Sequence, residues 1–273
     1  MPVADSDMIS DTALTRDAEL LAGVVREAGA LALDLFRTEL KTWIKGKSSP
    51  VSEADIAVND LIETRLRSAT PDYGWLSEES ADDPSRLGKS LTWIVDPIDG
   101  TRAYLAKQDD WSVSIALVAD GSPLLGAVFA PASNEFFFAT RGRGAVLNGA
   151  RITAAPGAAI DFPKIAGPKP LVERLGGMRE GETLHPRIGS LALRLVRVAD
   201  GRLDAAFAAG HSRDWDLAAA DLIVHEAGGE MTSLAGERLV YNQTDVRHGL
   251  LVAAGHARHA HIVKHFRENP IPW

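Results

Sequence analysis

The feature that most limits the fold lies between Trp111 and Gly149. There WSVSIALVAD, PLLGAVFAPASNEFFFAT and GAVLNG show strand-like alternation, broken at Asp120-Gly121, Asn134 and Asn148-Gly149. Asp, Asn and Gly tolerate the positive φ that tight hairpins require, so the run predicts a largely antiparallel sheet. Two helices are expected ahead of it. From Thr15 to Arg37, Leu20, Leu21, Val24, Val25, Ala28, Leu31, Leu35 and Phe36 recur at helical spacing. Lys41 to Pro50 reads as a polar break, and SPVSEADIAVNDLIETRLRSATP restarts with Ile56, Leu61, Ile62 and Leu66 before Pro71 ends it. YGWLSEES and LTWIVDPIDG are then two short strands, each running into acids.

Residues 1–150 are thus expected to form a helix pair with a largely antiparallel sheet, and residues 151–273 a C-terminal α/β lobe. In the second part Pro and Gly thin the pattern until HPRIGSLALRLVRVADGRLDAAFAAG supplies a helix and a strand. WDLAAADLIVHEAGG is a helix with Asp214 or Asp216 at its start and Gly228-Gly229 at its end. At 273 residues and 45% hydrophobic, the chain can bury a large core as one domain or two lobes.

A formal net charge of -8 offers no basic face for a nucleic-acid polymer, so an anionic substrate must be attracted locally. With no cysteine, any metal must sit on oxygen or imidazole. No stretch reaches the ~20 apolar residues of a membrane span. The opening MPVADSDMISD lacks a basic n-region and an apolar h-region, which makes the cytoplasm the expected location and a membrane partner unexpected.

The chemistry concentrates in WIVDPIDGTR, Trp93 to Arg102. Asp96 and Asp99 follow an apolar strand, Pro97 stiffens the turn, and Gly100 lets backbone approach a ligand. The N–H groups of Gly100, Thr101 and Arg102 can meet an anion if a helix or nest begins there. Acids beside an anion-binding turn suit a hard divalent cation shared with phosphate. Glu78, in Ser77-Glu78-Glu79-Ser80, and Asp216 are the natural further ligands. Each has a plainer reading: Asp216 as a helix N-cap, Glu78 and Glu79 as solvated loop acids, Asp96 as a turn opener. Trp93, Trp111 and Trp215 read as packing residues.

These residues resemble the inositol monophosphatase superfamily of Mg²⁺-dependent, lithium-sensitive phosphatases. WIVDPIDGT is similar to its first signature, DWDLAAADLIVHEAGG to its second, and SEES and SPVSEAD to two upstream segments, in family order from Ser49 to Gly229. The resemblance implies an αβαβα sandwich, usually homodimeric. It implies Glu78, Asp96, Asp99, Asp216 and the Ile98 carbonyl as metal ligands, for two or three Mg²⁺ ions, with Mn²⁺ as a substitute and Ca²⁺ and Li⁺ inhibitory. Gly100 and Thr101 would hold phosphate, while Thr101, oriented by Asp55, would join Glu78 in deprotonating a metal-bound water. The reaction implied is direct in-line attack on a phosphate monoester.

Members of the superfamily act on inositol monophosphates, 3'-phosphoadenosine 5'-phosphate, histidinol phosphate or fructose 1,6-bisphosphate. Inositol phosphatases commonly carry an acid seven residues before the second-signature aspartate, where this chain has Ala209. His211, Ser212 and Arg213 suit a base, a ribose or a second phosphate better than a polyol. Arg102 after the DGT turn, and the form of SPVSEADIAVND, are closer to the bisphosphate nucleotidases. Ser190, at the Gly189-Ser190 turn, joins the expected substrate contacts, and Lys169, His185 and Arg187 offer cations for a 5'-phosphate. The expected substrate is therefore a small 3'(2'),5'-bisphosphate nucleotide, with inositol 1-phosphate or another sugar or polyol phosphate as the alternative. A purely binding or regulatory role ranks below both, since the carboxylate set is intact. Residues 157–182 match nothing interpretable.

Overall fold

The computed structural model describes residues 9–45, 49–176 and 183–271. Helix α1 (Asp11–Phe36) starts earlier than its apolar periodicity, because the Ser10 hydroxyl caps the Ala13 N–H at 3.2 Å. The expected polar break after it is a hairpin, β1 (Thr42–Lys45) with β2 (Ser49–Ser52), whose turn residues 46–48 lie outside the described residues. No third strand pairs with it among the described residues, and Trp43 and Ile44 stay 45% and 61% exposed. Helix α2 (Glu53–Ala69) begins on a reciprocal cap: Ser52 bonds the Ala54 N–H, and Asp55 accepts from the Ser52 N–H at 2.8 Å.

Seven strands follow as one sheet in chain order: β3 (Gly74–Ser77), β4 (Thr92–Asp99), β5 (Ser112–Ala119), β6 (Ser122–Ala130), β7 (Glu135–Thr140), β8 (Gly144–Leu147) and β9 (Ala150–Arg151). Only β3 with β4 is parallel. The hairpin turns fall where the sequence places them. Asp120, Asn134 and Asn148 have φ of 48°, 53° and 51°. The short helix α3 (Thr101–Leu105) interrupts the sheet between β4 and β5.

Strand alternation builds the layers. Trp93 and Val95 of β4 join Ile115 and Leu117 of β5 in a core closed by Leu21, Val24, Val25 and Ala28 of α1 and Val58, Ile62 and Leu66 of α2. The intervening Ile94, Ala116 and Val118 face the other way. There they meet α5 (Leu191–Ala199) and α6 (Asp214–Glu226). Before α5 come β10 (Ile165–Ala166) and α4 (Lys169–Val172); β11 (Ala205–Ala208) and β12 (Ser212–Arg213) precede α6.

The chain ends in β13 (Gly229–Ser233), β14 (Arg247–His248), β15 (Leu251–Gly255) and α7 (His256–Glu268). Strands β10, β11, β15 and β13 make a four-stranded sheet. Ala206, Ala208, Met231 and Ala253 of that sheet pack on α5 and α6. Ala205, Phe207, Val252 and Ala254 pack outward on Ile262, Val263 and Phe266 of α7. The result is a five-layer αβαβα sandwich, as the resemblance implies. Helix α6 lies in its middle layer and brings its N-terminus to the end of β4. Of the expected helix stop, Gly228 sits at φ 80°, while Gly229 already begins β13.

Candidate active site

Asp96 and Asp99 would point to opposite faces of a regular strand. Strand β4 avoids this with a bulge: Asp96 pairs with Ser114 but Asp99 pairs with Ser112, so one extra residue lies between them. The two carboxylates then face the same side. Asp96 is fixed by the Ile98 N–H at 3.0 Å. Asp99 accepts from the Ser190 hydroxyl at 2.5 Å and the Ala192 N–H at 2.6 Å. Asp216 joins them from the first turn of α6, where it accepts from the Arg213 N–H at 2.6 Å. Ligand oxygens of Asp96, Asp99 and Asp216 all lie within 4.8 Å of one another. Asp216 is not the N-cap expected as its plain alternative: Arg213 holds that place, and Asp216, in the first turn, accepts the Arg213 N–H, which positions its carboxylate.

Glu78, at the end of β3, lines the same cleft of about 640 Å³ with Asp96, Ile98, Asp99, Gly100, Thr101, Arg102 and Asp216. Burial, and then repulsion by Asp216 and Glu79, push the Glu78 carboxyl up to about 8. Burial and Asp99 push Asp216 up to about 7. Asp96 is held well above the usual carboxylate range by burial and by Glu78, Asp99 and Asp216. Glu79 turns instead to Lys45, 3.2 Å away.

Thr101 opens α3. Its hydroxyl lies 3.2 Å from Asp55 Oδ1 and 3.1 Å from the Ile98 carbonyl, so its one hydrogen is committed and its lone pairs are left to accept. Asp55 is itself buried and held by Ser52, whose hydroxyl donates at 2.6 Å. The N–H groups of Ala103 and Tyr104 return to the Gly100 carbonyl, and Thr101 stands in the first turn of the helix, where backbone N–H groups point outward. Gly100 itself serves another need. At φ 92°, a Cβ there would stand 2.9 Å from the Ser190 backbone nitrogen, so the close approach that demands glycine is to the Gly189-Ser190 turn.

Other expected substrate contacts lie elsewhere. Ser190 is fully buried, and its hydroxyl is occupied by Asp99, by Ser112 at 2.9 Å and by the Leu193 N–H at 2.8 Å. It orients a carboxylate rather than facing a cleft. His211, at φ 80°, and Arg213, whose guanidinium stacks 5.3 Å from the Trp215 ring, line neither this cleft nor its neighbour.

That neighbour, of about 610 Å³, adjoins the carboxylate cleft through Arg187 and Gly189 and collects Lys169, His185 and Arg194. Ala209 is part of its wall. Residues 177–182, within the uninterpreted segment 157–182, lie outside the described residues. Sequence reasoning missed Arg194 and Asp110. The one available signal was helical spacing, which sets Arg194 one turn beyond Ser190. Asp110 acts through its backbone carbonyl, which receives the Ser190 N–H at 2.8 Å.

Clustered carboxylates whose protons are retained by burial and mutual repulsion form an all-oxygen donor set, and a hard divalent cation fits it. Such a cluster beside a helix start suits a cation shared with a phosphate group. The family model for the inositol monophosphatase family matches residues 14–270. The Nus factor SuhB of Escherichia coli (strain K12) is 32% identical over 222 residues, 77% of this chain and 82% of that protein. The inositol-1-monophosphatase of Rhizobium meliloti (strain 1021) is 34% identical over 231 residues, 80% of this chain and 85% of that one. The crystal structure of the extragenic suppressor protein SuhB from Bartonella henselae superposes with a TM-score of 0.80 at 27% identity, covering 92% of this chain and 98% of that chain. The chain belongs to the inositol monophosphatase family and is an enzyme that hydrolyses phosphate monoesters. No helix among the described residues is long and apolar enough to cross a membrane.

Proposed function

We propose that the substrate is a 3'(2'),5'-bisphosphate nucleotide, hydrolysed at one phosphate while the other is held nearby. The observation that carries this reading is the second cleft, where Lys169, His185, Arg187 and Arg194 face the space next to the carboxylates. Ala209 supports it: a methyl group stands where an inositol-binding acid is expected.

Asp96, Asp99, Asp216, Glu78 and the Ile98 carbonyl would hold Mg²⁺. When bound, the metal supplies charge neutralisation and Lewis acidity at the phosphoryl group. The chain's own residues do the rest. Thr101 accepts a hydrogen bond from the attacking water, because Asp55 and the Ile98 carbonyl fix its own hydrogen. Glu78 receives the water's proton at its carboxylate. The backbone N–H groups of Gly100 and Thr101 steady the phosphoryl oxygens.

The inositol-1-monophosphatase name of the Rhizobium meliloti relative favours a polyol phosphate as the second reading. The Nus factor name of the Escherichia coli relative raises a role apart from catalysis, against which the intact carboxylate set argues. The deciding experiment is phosphate release with Mg²⁺, comparing kcat/KM for 3'-phosphoadenosine 5'-phosphate and inositol 1-phosphate. The expected preference for the nucleotide is about 100-fold or more, roughly 2.7 kcal/mol of transition-state binding. The opposite preference would replace this proposal with the polyol reading.

A further inference from the structure

The basic cleft holds four cationic side chains, and their surroundings separate them. Lys169 is 72% exposed and already lies 3.6 Å from Glu173. His185 directs Nδ1 at the Pro186 carbonyl, 2.8 Å away, so that nitrogen carries the hydrogen; in the neutral ring only the Nε2 lone pair remains, which an anion avoids. Arg187 is exposed on the rim shared by both clefts. Arg194 differs from all three. It rises from α5 into the cleft wall, and its Nε is buried without a hydrogen-bond partner.

A guanidinium stays charged at any physiological pH, and Arg194, half-buried in the cleft wall, carries that charge with no carboxylate in ion-pair contact among the described residues. Asp99 attracts Arg194 through space while Arg187 repels it. Yet Asp99 Oδ2 is already taken by Ser190 and the Ala192 N–H, and no ion pair joins Asp99 to Arg194 among the described residues. Arg194 lines the cleft, and an anion there would offset a charge that no described carboxylate pairs. Planar, forked donors are suited to phosphate oxygens.

We infer that Arg194 is a specificity-determining residue that binds the second phosphate of the substrate, across the Gly189-Ser190 turn from the carboxylates. The inference rests on the bisphosphate reading and assigns that reading its principal cation. The turn is rigid on both sides. The Ser190 N–H bonds the Asp110 carbonyl, the Gly189 N–H bonds the Asp110 carboxylate, and a Cβ on Gly189 would collide with Ala103. A substrate spanning it is therefore measured against a fixed distance, with the scissile phosphate at Thr101 and the remote one at Arg194.

The test compares two substrates that differ only by the remote phosphate, 3'-phosphoadenosine 5'-phosphate and adenosine 3'-phosphate. Each is assayed with wild type, Arg194→Gln and Arg194→Lys in the presence of Mg²⁺. The ratio of the two kcat/KM values reads the contact, whatever the absolute rates. In wild type the bisphosphate is favoured; Arg194→Gln should cut that ratio by about 10-fold or more, and Arg194→Lys should restore part of it. A Gln variant with the wild-type ratio, both rates having fallen together, would show that Arg194 only supports Asp99 and would overturn the inference while leaving the nucleotide preference standing. A wild type with no preference for the bisphosphate would refute the bisphosphate reading itself, and the role of Arg194 would fall with it. Should the Gln variant fail to fold, the Lys variant decides: a ratio reduced from wild type supports a forked contact, and an unchanged ratio overturns it.

Discussion

The two adjoining clefts are built differently. The four acids assigned to the cation come from element ends or first turns: Glu78 from the end of β3, Asp96 and Asp99 from the bulge in β4, Asp216 from the start of α6. Asp96, Asp99 and Asp216 are each fixed by a backbone N–H. The basic cleft takes its walls from Ala166 to Lys169 and Thr183 to Gly189, mostly irregular chain with Lys169 at the start of the short α4, while Arg194 stands inside the longer helix α5. Bond-breaking groups are thus held to tight tolerances by sheet and helix geometry, while the groups that select the substrate sit on segments that can vary without disturbing them. Arg194 couples the two, because its helix also supplies the N–H that holds Asp99.

If that division is right, substitutions in the two clefts should separate. The largest effect should come from Asp96→Asn, which removes a charge from the cluster while keeping its shape. It should lower kcat/KM on any substrate by about 10³-fold or more, with the far-ultraviolet circular dichroism unchanged. Retained turnover would break the assignment of the carboxylate cleft.

Thr101→Ala should follow at about 10²-fold, falling on kcat rather than on the Mg²⁺ concentration needed for half-maximal rate. A variant impaired only in metal affinity would move Thr101 from water positioning to cation binding. Gly100→Ala tests the seam between the clefts. The left-handed φ and the contact with the Ser190 backbone should cost about 1–3 kcal/mol of stability, lowering the melting temperature measurably. A melting curve identical to wild type would mean that the turn can shift freely.

The smallest expected effect is the pH response of the metal-free protein. Glu78 and Asp216 rise from ordinary values of 4.5 and 3.8 to about 8 and about 7, so the folded chain binds more protons than the unfolded chain between those limits. Stability contributed by this cluster therefore falls as pH rises from about 4 to about 8. Mg²⁺ binds the ionised carboxylates and should reverse the trend, with the larger gain in melting temperature at the higher pH. A Mg²⁺-induced gain that is equal at pH 6 and pH 8 would contradict the raised values.

Much of the carboxylate cleft was legible because its signals are local. DPIDGT joins a stiff proline turn, two acids and a helix start in consecutive residues, and Asp216 opens a helix with an evident apolar pattern. The antiparallel hairpins could be anticipated from the turns at Asp120, Asn134 and Asn148, whereas the layering came from the family resemblance. Less legible were features that depend on distant partners. Ser190 looked like a substrate contact because its neighbour is glycine, but its hydroxyl belongs to Asp99, 91 residues earlier in the chain. His211 and Arg213 stood close to Asp216 in sequence, yet neither lines either of these two clefts. Arg194 was hidden inside LALRLVRVA, where helical periodicity makes an arginine look like a solvated residue. Helix α7 went unassigned because its HARHAHIVKHFRE sequence buries only a few apolar residues against Phe207 and Val252.

Titration of Mg²⁺ into metal-free protein at pH 7, following heat and released protons together, tests the central claim most directly. Binding accompanied by proton release, with both lost in Asp96→Asn, is the predicted result, since ionised carboxylates must replace protonated ones around the cation. Binding without proton release, or equal binding by the Asn variant, would contradict a cation site built from Glu78, Asp96, Asp99 and Asp216.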